Sequence, residues 1–128
     1  MKIEHLAFNV THPLEAARWY VSHLGMRVAR KQDQPPYGHF LVDSAGAVMV
    51  EFYCNPKAVV PDYFAVEPLN LHLAFISSDI EADLARLRAA GAAAEGEMEV
   101  TPLGDRVAML RDPWGLPIQL VQRKKSML

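Results

Sequence analysis

Residues 3–10 alternate, with Leu6, Phe8 and Val10 on one side and Ile3, His5, Ala7 and Asn9 on the other. That period predicts a strand with one packed face. Pro13 then suits the first turn of a helix whose apolar positions Leu14, Ala17, Val21 and Leu24 recur at three- and four-residue spacing, and Gly25 stops it. The helix is expected over 13–24. Three further strand-like runs at about 26–32, 38–43 and 47–54 are separated by Pro35-Pro36 and by Asp43-Ser44-Ala45-Gly46. This first half reads βαβββ.

Residues 55–68, with Pro56, Pro61 and Pro68, lack periodicity and are read as a connector. The pattern then restarts. Residues 70–76 alternate with Leu71, Leu73 and Phe75 on the apolar side, and a helix follows whose stripe is Ile80, Leu84 and Leu87. Ser78 and Glu81 have capping-box spacing, and Gly91 ends the helix. Strands are expected at about 94–100, 105–111 and 116–122, the last two joined by Asp112-Pro113-Trp114-Gly115. The sequence itself repeats as well: His5-Leu6-Ala7-Phe8 returns as His72-Leu73-Ala74-Phe75, 67 positions on. Helix stop and final turn are displaced by 66 and 69 positions. Such near-constant offsets indicate two equivalent modules. The expected class is α+β: one domain over 1–128, with module 1 at about 1–54, the connector at 55–68 and module 2 at about 69–123.

Composition narrows what such a domain does. Of the 128 residues 51% are hydrophobic and 22% charged, enough for a core. A net charge of -2 and a pI near 6.2 argue against a nucleic-acid footprint. The one basic cluster, Arg123-Lys124-Lys125, reads as a solvated tail. The single cysteine, Cys54, cannot form an intrachain disulfide and reads as a small buried hydrophobe. With no signal peptide and no apolar run near the roughly 20 residues of a membrane helix, the expectation is a cytoplasmic protein with no membrane partner.

The repeat also directs attention to matching polar positions. Glu51 and Gln119 stand 68 apart in the last strands of the two modules, and both interrupt apolar runs. Val48, Val50 and Phe52 share one side of their strand, which leaves Met49, Glu51 and Tyr53 on the other. Similarly, Ile118 and Leu120 oppose Pro117, Gln119 and Val121. His5, Glu51, His72 and Gln119 therefore all fall opposite the helix-packed side, and in one curved, cleft-lined mixed sheet they can converge. A lone strand histidine usually faces solvent. Two imidazoles and a carboxylate at equivalent points of a repeat point instead to a metal-binding site.

The chain resembles the vicinal oxygen chelate superfamily, also called the glyoxalase/bleomycin-resistance/dioxygenase superfamily. The resemblance rests on the tandem modules. It rests also on Trp19-Tyr20-Val21-Ser22-His23-Leu24-Gly25, similar to the family's aromatic-Tyr-x-x-x-Leu-Gly helix ending, and on Asp112-Pro113-Trp114-Gly115-Leu116-Pro117-Ile118-Gln119, similar to its Asp-Pro-x-Gly-x-x-Ile-Glu finish. The resemblance implies a divalent metal (Zn, Ni, Co, Mn or Fe) held by His5, Glu51, His72 and Gln119. It also implies bidentate binding of adjacent substrate oxygens, with an enolate or oxyanion stabilised. The departure is Gln119, where enzymatic relatives commonly carry Glu. An amide oxygen can ligate but brings no charge and accepts no proton.

By this reading Glu51 is the carboxylate available as a base, and Tyr53 a second candidate catalytic residue. The leading expectation is a metal-dependent lyase or isomerase of glyoxalase or epimerase type, acting on a small molecule and assembled as a homodimer. The alternatives are a metal-free binding protein of the bleomycin-resistance type and an extradiol-type dioxygenase. Met49, Phe64, Arg106 and Trp114 are candidate cavity-lining positions. His39 either reaches the cavity mouth or lies at the surface.

Overall fold

The computed structural model describes residues 1–127, so the last position of the expected 1–128 domain lies outside the described residues. Two compact units are present, one spanning Met1–Pro61 and a second that begins at Asp62. Each is a βαβββ module. The first contains β1 (His5–Asn9), α1 (Pro13–Leu24), β2 (Arg27–Lys31), β3 (His39–Val42) and β4 (Met49–Tyr53). The second contains β5 (Leu73–Ile76), α2 (Ile80–Ala89), β6 (Ala93–Val100), β7 (Arg106–Arg111) and β8 (Pro117–Gln122), preceded by a 3₁₀ turn at Tyr63–Ala65 within the expected connector.

The strands are hydrogen-bonded as two four-stranded mixed sheets, ordered β1-β4-β3-β2 and β5-β8-β7-β6. In each, the first strand runs parallel to the last and the other pairs are antiparallel. The chain must cross over to make that parallel pair, and the helix supplies the crossover. α1 lies against β2, β3 and β4, and α2 against β6, β7 and β8.

The buried stripe of α1 is rotated one position from the expected one. Pro13, Ala16, Ala17 and Tyr20 are buried, whereas Leu14 and Val21 are exposed. Both stripes have helical spacing, and the larger residue decides between them. Tyr20 is fully buried with its ring 4.7 Å from that of Phe52, and a tyrosine ring removes more apolar surface from water than a valine. The start of α2 also differs from expectation. Ser77-Ser78-Asp79 offers three capping side chains, and Asp79 is the cap, its carboxylate accepting from the Ala82 N–H at 3.1 Å. Ser77 instead donates to Asp83 at 2.6 Å.

The Asp112–Gly115 turn is built by its own residues. The Asp112 carboxylate accepts from the N–H groups of Trp114 and Leu116, both at 2.9 Å. Gly115 has φ 93°, and a Cβ there would lie 2.7 Å from the ring and backbone of Phe64. Only glycine meets both conditions. Arg111, which precedes the turn, is buried and donates to the carbonyls of Tyr63, Val66 and Gly115, fastening the 3₁₀ segment to the sheet.

The basic tail is not wholly solvated. Arg123 pairs with Asp105 at 2.7 Å, and the Lys124 N–H donates to the same carboxylate. Cys54 is half-buried with a free thiol. Among the described residues no helix is long and apolar enough to cross a membrane.

Candidate functional site

His5 opens β1, and its imidazole is held at one nitrogen: Nδ1 lies 2.6 Å from Glu4 Oε2. Its other nitrogen, Nε2, is 3.7 Å from Glu51 Oε2. The sheet register explains the approach. Ala7 opposes Glu51 across the parallel pair, so His5, two residues earlier on the same face, is the diagonal neighbour of that carboxylate. Phe40 opposes Glu51 from β3 and presents its ring to His5 edge-on, with centroids 5.4 Å apart. The result is a half-buried imidazole–carboxylate pair with an aromatic wall.

Gly38 completes the pair's surroundings. A Cβ at this buried glycine would sit 3.2 Å from Glu51 Oε1 and from Gln32 Oε1, so the missing side chain leaves room for the carboxylate. Sequence reading missed Gly38, Phe40 and Glu4. Gly38 and Phe40 become visible only once the β3–β4 register is known; Glu4 was detectable, because a carboxylate beside a candidate ligand histidine commonly orients it.

The second unit repeats the arrangement with one change. His72 directly precedes β5, and its Nδ1 lies 2.6 Å from the Pro68 carbonyl oxygen. Ala74 opposes Gln119, as Ala7 opposes Glu51. His72 thus has the same diagonal relation to Gln119 that His5 has to Glu51. A carbonyl only accepts, so Nδ1 of His72 carries the proton and the Nε2 lone pair remains available. The carboxylate of Glu4 selects the same tautomer in His5. Both histidines are held as metal-ligating histidines are, by the nitrogen that does not ligate. Among the described residues, no three His, Cys, Asp or Glu side chains are grouped so as to hold a metal ion. Each unit supplies one imidazole and one side-chain oxygen donor.

The Glyoxalase/Bleomycin resistance protein/Dioxygenase superfamily model matches residues 2–120. The chain belongs to this superfamily. No curated protein matches it. Among solved structures, it is similar to SMU.1112c at 28% identity over 95% of this chain and 98% of that one, with a TM-score of 0.73. It is also similar to TnmS3, an antibiotic binding protein from Streptomyces sp. CB03234, at 23% identity over 97% of both chains, TM-score 0.74. A glyoxalase I mutant from Zea mays matches at 22% identity and TM-score 0.76, over 97% of this chain and 46% of that one. At such identities the last two establish the shared fold.

Within this superfamily member the remaining candidates separate. Tyr53 ends β4 on the Glu51 face, half-buried, and Met49 shares that face. Trp114 is half-buried in the Asp112 turn, and Phe64 rests on Gly115. Arg106 is not an open side chain. It is engaged by Glu81 of α2 and by Gln122, and the Glu81 guanidinium partner holds that carboxyl below its usual range. His39 neither reaches the His5–Glu51 face nor lies at the surface. It opposes Phe52 on the helix-packed side and is 5% exposed, with Nδ1 2.6 Å from the Tyr37 carbonyl oxygen.

Proposed function

We propose that this superfamily member is a divalent-metal-dependent enzyme of the glyoxalase or epimerase type, a lyase or isomerase acting on a small oxygenated substrate. The observation that carries the reading is the approach of His5 Nε2 to Glu51 in the first unit, with His72 and Gln119 in the same register relation in the second. Nε2 of His5 and Oε2 of Glu51, 3.7 Å apart, are a few tenths of an ångström wider than two ligands at about 2.1 Å from one ion. Side-chain rotation closes that difference. In this reading His5 and Glu51 form one half of the ligand set, and His72 and Gln119 the other. The residues present fit a borderline divalent cation such as Zn, Ni, Co, Mn or Fe.

When bound, the ion would supply Lewis-acid stabilisation of negative charge developing on substrate oxygen. The chain's own residues do the rest. Glu51 is the carboxylate placed to take and return a proton beside a carbonyl, and Phe40 limits water on one side of it. Tyr53, two residues along the same face, is the second candidate for positioning substrate. Glu4 and the Pro68 carbonyl keep both imidazoles in the ligating tautomer. The protein would work in the cytoplasm as a homodimer, within one domain made of both modules, with a small molecule as its partner.

A second reading, a metal-free small-molecule binder, is favoured by Gln119. It leaves the second unit with an amide where the first has a carboxylate, which lowers the charge that would retain a cation. Metal analysis of tag-free protein separates the two. Below about 0.1 ion per chain, with no thermal stabilisation by excess Mn, Fe, Co, Ni or Zn ions, the enzyme reading fails. If metal is bound, Gln119→Glu is expected to tighten it about tenfold or more, since it adds an anionic donor. Unchanged affinity would remove residue 119 from the ligand set.

A further inference from the structure

A second recess in the first unit lies against the start of α1 and the buried His39. It is an open cavity of about 500 Å³ between the first turns of α1 and the β2–β3 segment. That is within the usual size for small-molecule sites. Three features of it are directional.

The first is the start of α1. The cap residue His12 makes no side-chain cap hydrogen bond, and Pro13 has no N–H to satisfy. Among the described residues, the N–H groups of Leu14 and Glu15 find no acceptor, the first bond in this turn running from Ala16 to His12. Two free donors at the positive end of a twelve-residue helix favour an anion.

The second feature is His39. It is 5% exposed and lines the cavity, and its Nδ1 is committed to the Tyr37 carbonyl oxygen at 2.6 Å. Among the described residues Nε2 has no partner, and no buried side-chain nitrogen or oxygen is sealed off without one. Nε2 therefore opens to the cavity as a lone pair in search of a donor. The third feature is charge balance. Arg18 lines the cavity with no ion-pair partner among the described residues, Lys31 is paired with Asp33 at 3.1 Å, and Glu15 stands opposite in sign. Lining cations and carboxylates cancel, which disfavours a polyphosphate and suits a single negative charge placed by the helix terminus and Arg18. Leu14 and Tyr37, 41% and 43% exposed, provide apolar contact beside these groups.

We propose that this cavity binds a small carboxylic acid that carries an apolar group and a hydroxyl or amino hydrogen. The carboxylate is received by the Leu14 and Glu15 N–H groups and Arg18. The ligand's O–H or N–H donates to His39 Nε2, and its apolar part rests on Leu14 and Tyr37. Its lining reaches toward Glu51 through Gln32, whose Oε1 flanks Gly38 opposite Glu51 Oε1, but none of the groups assigned to the acid is a proposed metal ligand.

The probes are 3-phenyllactate and its hydroxyl-free counterpart 3-phenylpropionate, titrated into the intact protein while amide and histidine resonances are followed by NMR. Phenyllactate is expected to shift the Leu14 and Glu15 amides and the His39 ring saturably. Phenylpropionate should bind roughly fivefold more weakly, the value of one net hydrogen bond. Arg18→Ala, at an exposed position, should weaken both acids by roughly fivefold. His39→Asn, which keeps a donor for the Tyr37 carbonyl but removes Nε2, should erase the preference between them. Should His39→Asn fail to fold, the comparison of the two acids on the unaltered protein still tests Nε2. The proposal is overturned by the absence of saturable shifts up to about 10 mM. It is equally overturned by equal affinity for the two acids, or by an Arg18→Ala variant that binds as the parent does.

Discussion

Replacing Arg111 by Met tests whether one buried guanidinium holds the 3₁₀ segment to the second sheet. The side chain is 10% exposed and makes five hydrogen bonds: two to Glu95 at 2.8 and 3.4 Å, and one each to the carbonyls of Tyr63 (2.8 Å), Val66 (3.0 Å) and Gly115 (3.2 Å). Methionine fills most of the volume but donates to none of these acceptors. Glu95 is 42% exposed, so water replaces much of what it loses. The three carbonyls have less recourse to water, at about 1 kcal/mol each, for a total of about 3 kcal/mol. With an unfolding entropy of about 2.1 cal/mol/K per residue, this corresponds to a fall in Tm of about 11 °C for a chain of 128 residues. Circular dichroism melts and urea titrations of Arg111→Met and the parent measure it. Hydrogen exchange should show the Val66 amide, which donates to Tyr63, losing protection first. A loss below about 1 kcal/mol would mean that the carbonyls are satisfied without the guanidinium and that Arg111 does not hold the segment.

Two further outcomes are expected. Gly38→Ala should fold, since residue 38 is not among the positive-φ glycines, but its methyl group must displace Glu51 Oε1 from a 3.2 Å contact. On the proposed metal-dependent reading, metal affinity measured by competition with a chelator should fall about tenfold, and a variant that binds as the parent does would count against Glu51 as a ligand. The carboxyl of Asp83 is held below its ordinary range by the Ser77 hydroxyl and by Arg86. A depressed folded-state pKa stabilises the fold above the unfolded value near 3.9, and that stability is lost as pH falls through the folded value. Asp83→Asn should therefore lower the urea midpoint at pH 7 and narrow its difference from the midpoint at pH 3. An undiminished difference would assign the acid sensitivity to other groups.

The order of elements and the two-module plan were legible in the sequence because they rest on local physics. Strand alternation, helix spacing, and stops at Gly25 and Gly91 each act over a few residues. The repeat of His-Leu-Ala-Phe then carried the comparison from one half to the other. The pairing of His5 with Glu51 was half legible. Alternation placed both on one side of their strands, but their 3.7 Å approach depends on Ala7 lying opposite Glu51, a register that links residues 44 positions apart. No short-range pattern encodes such a register.

Other features were decided by packing alone. Helical periodicity admitted two stripes on α1, and the contact of Tyr20 with Phe52 chose between them. Ser77, Ser78 and Asp79 all carry capping side chains; Ser77 is bonded to Asp83, and the Ala82 N–H donates to Asp79. His39 could have faced either way until β3 paired with β4 and turned it to the helix side. By itself, then, the sequence determined the type and order of the elements and the chemistry available on each strand. Tertiary structure decided which of those groups meet, because a contact between distant residues exists only once register and packing have brought their side chains together.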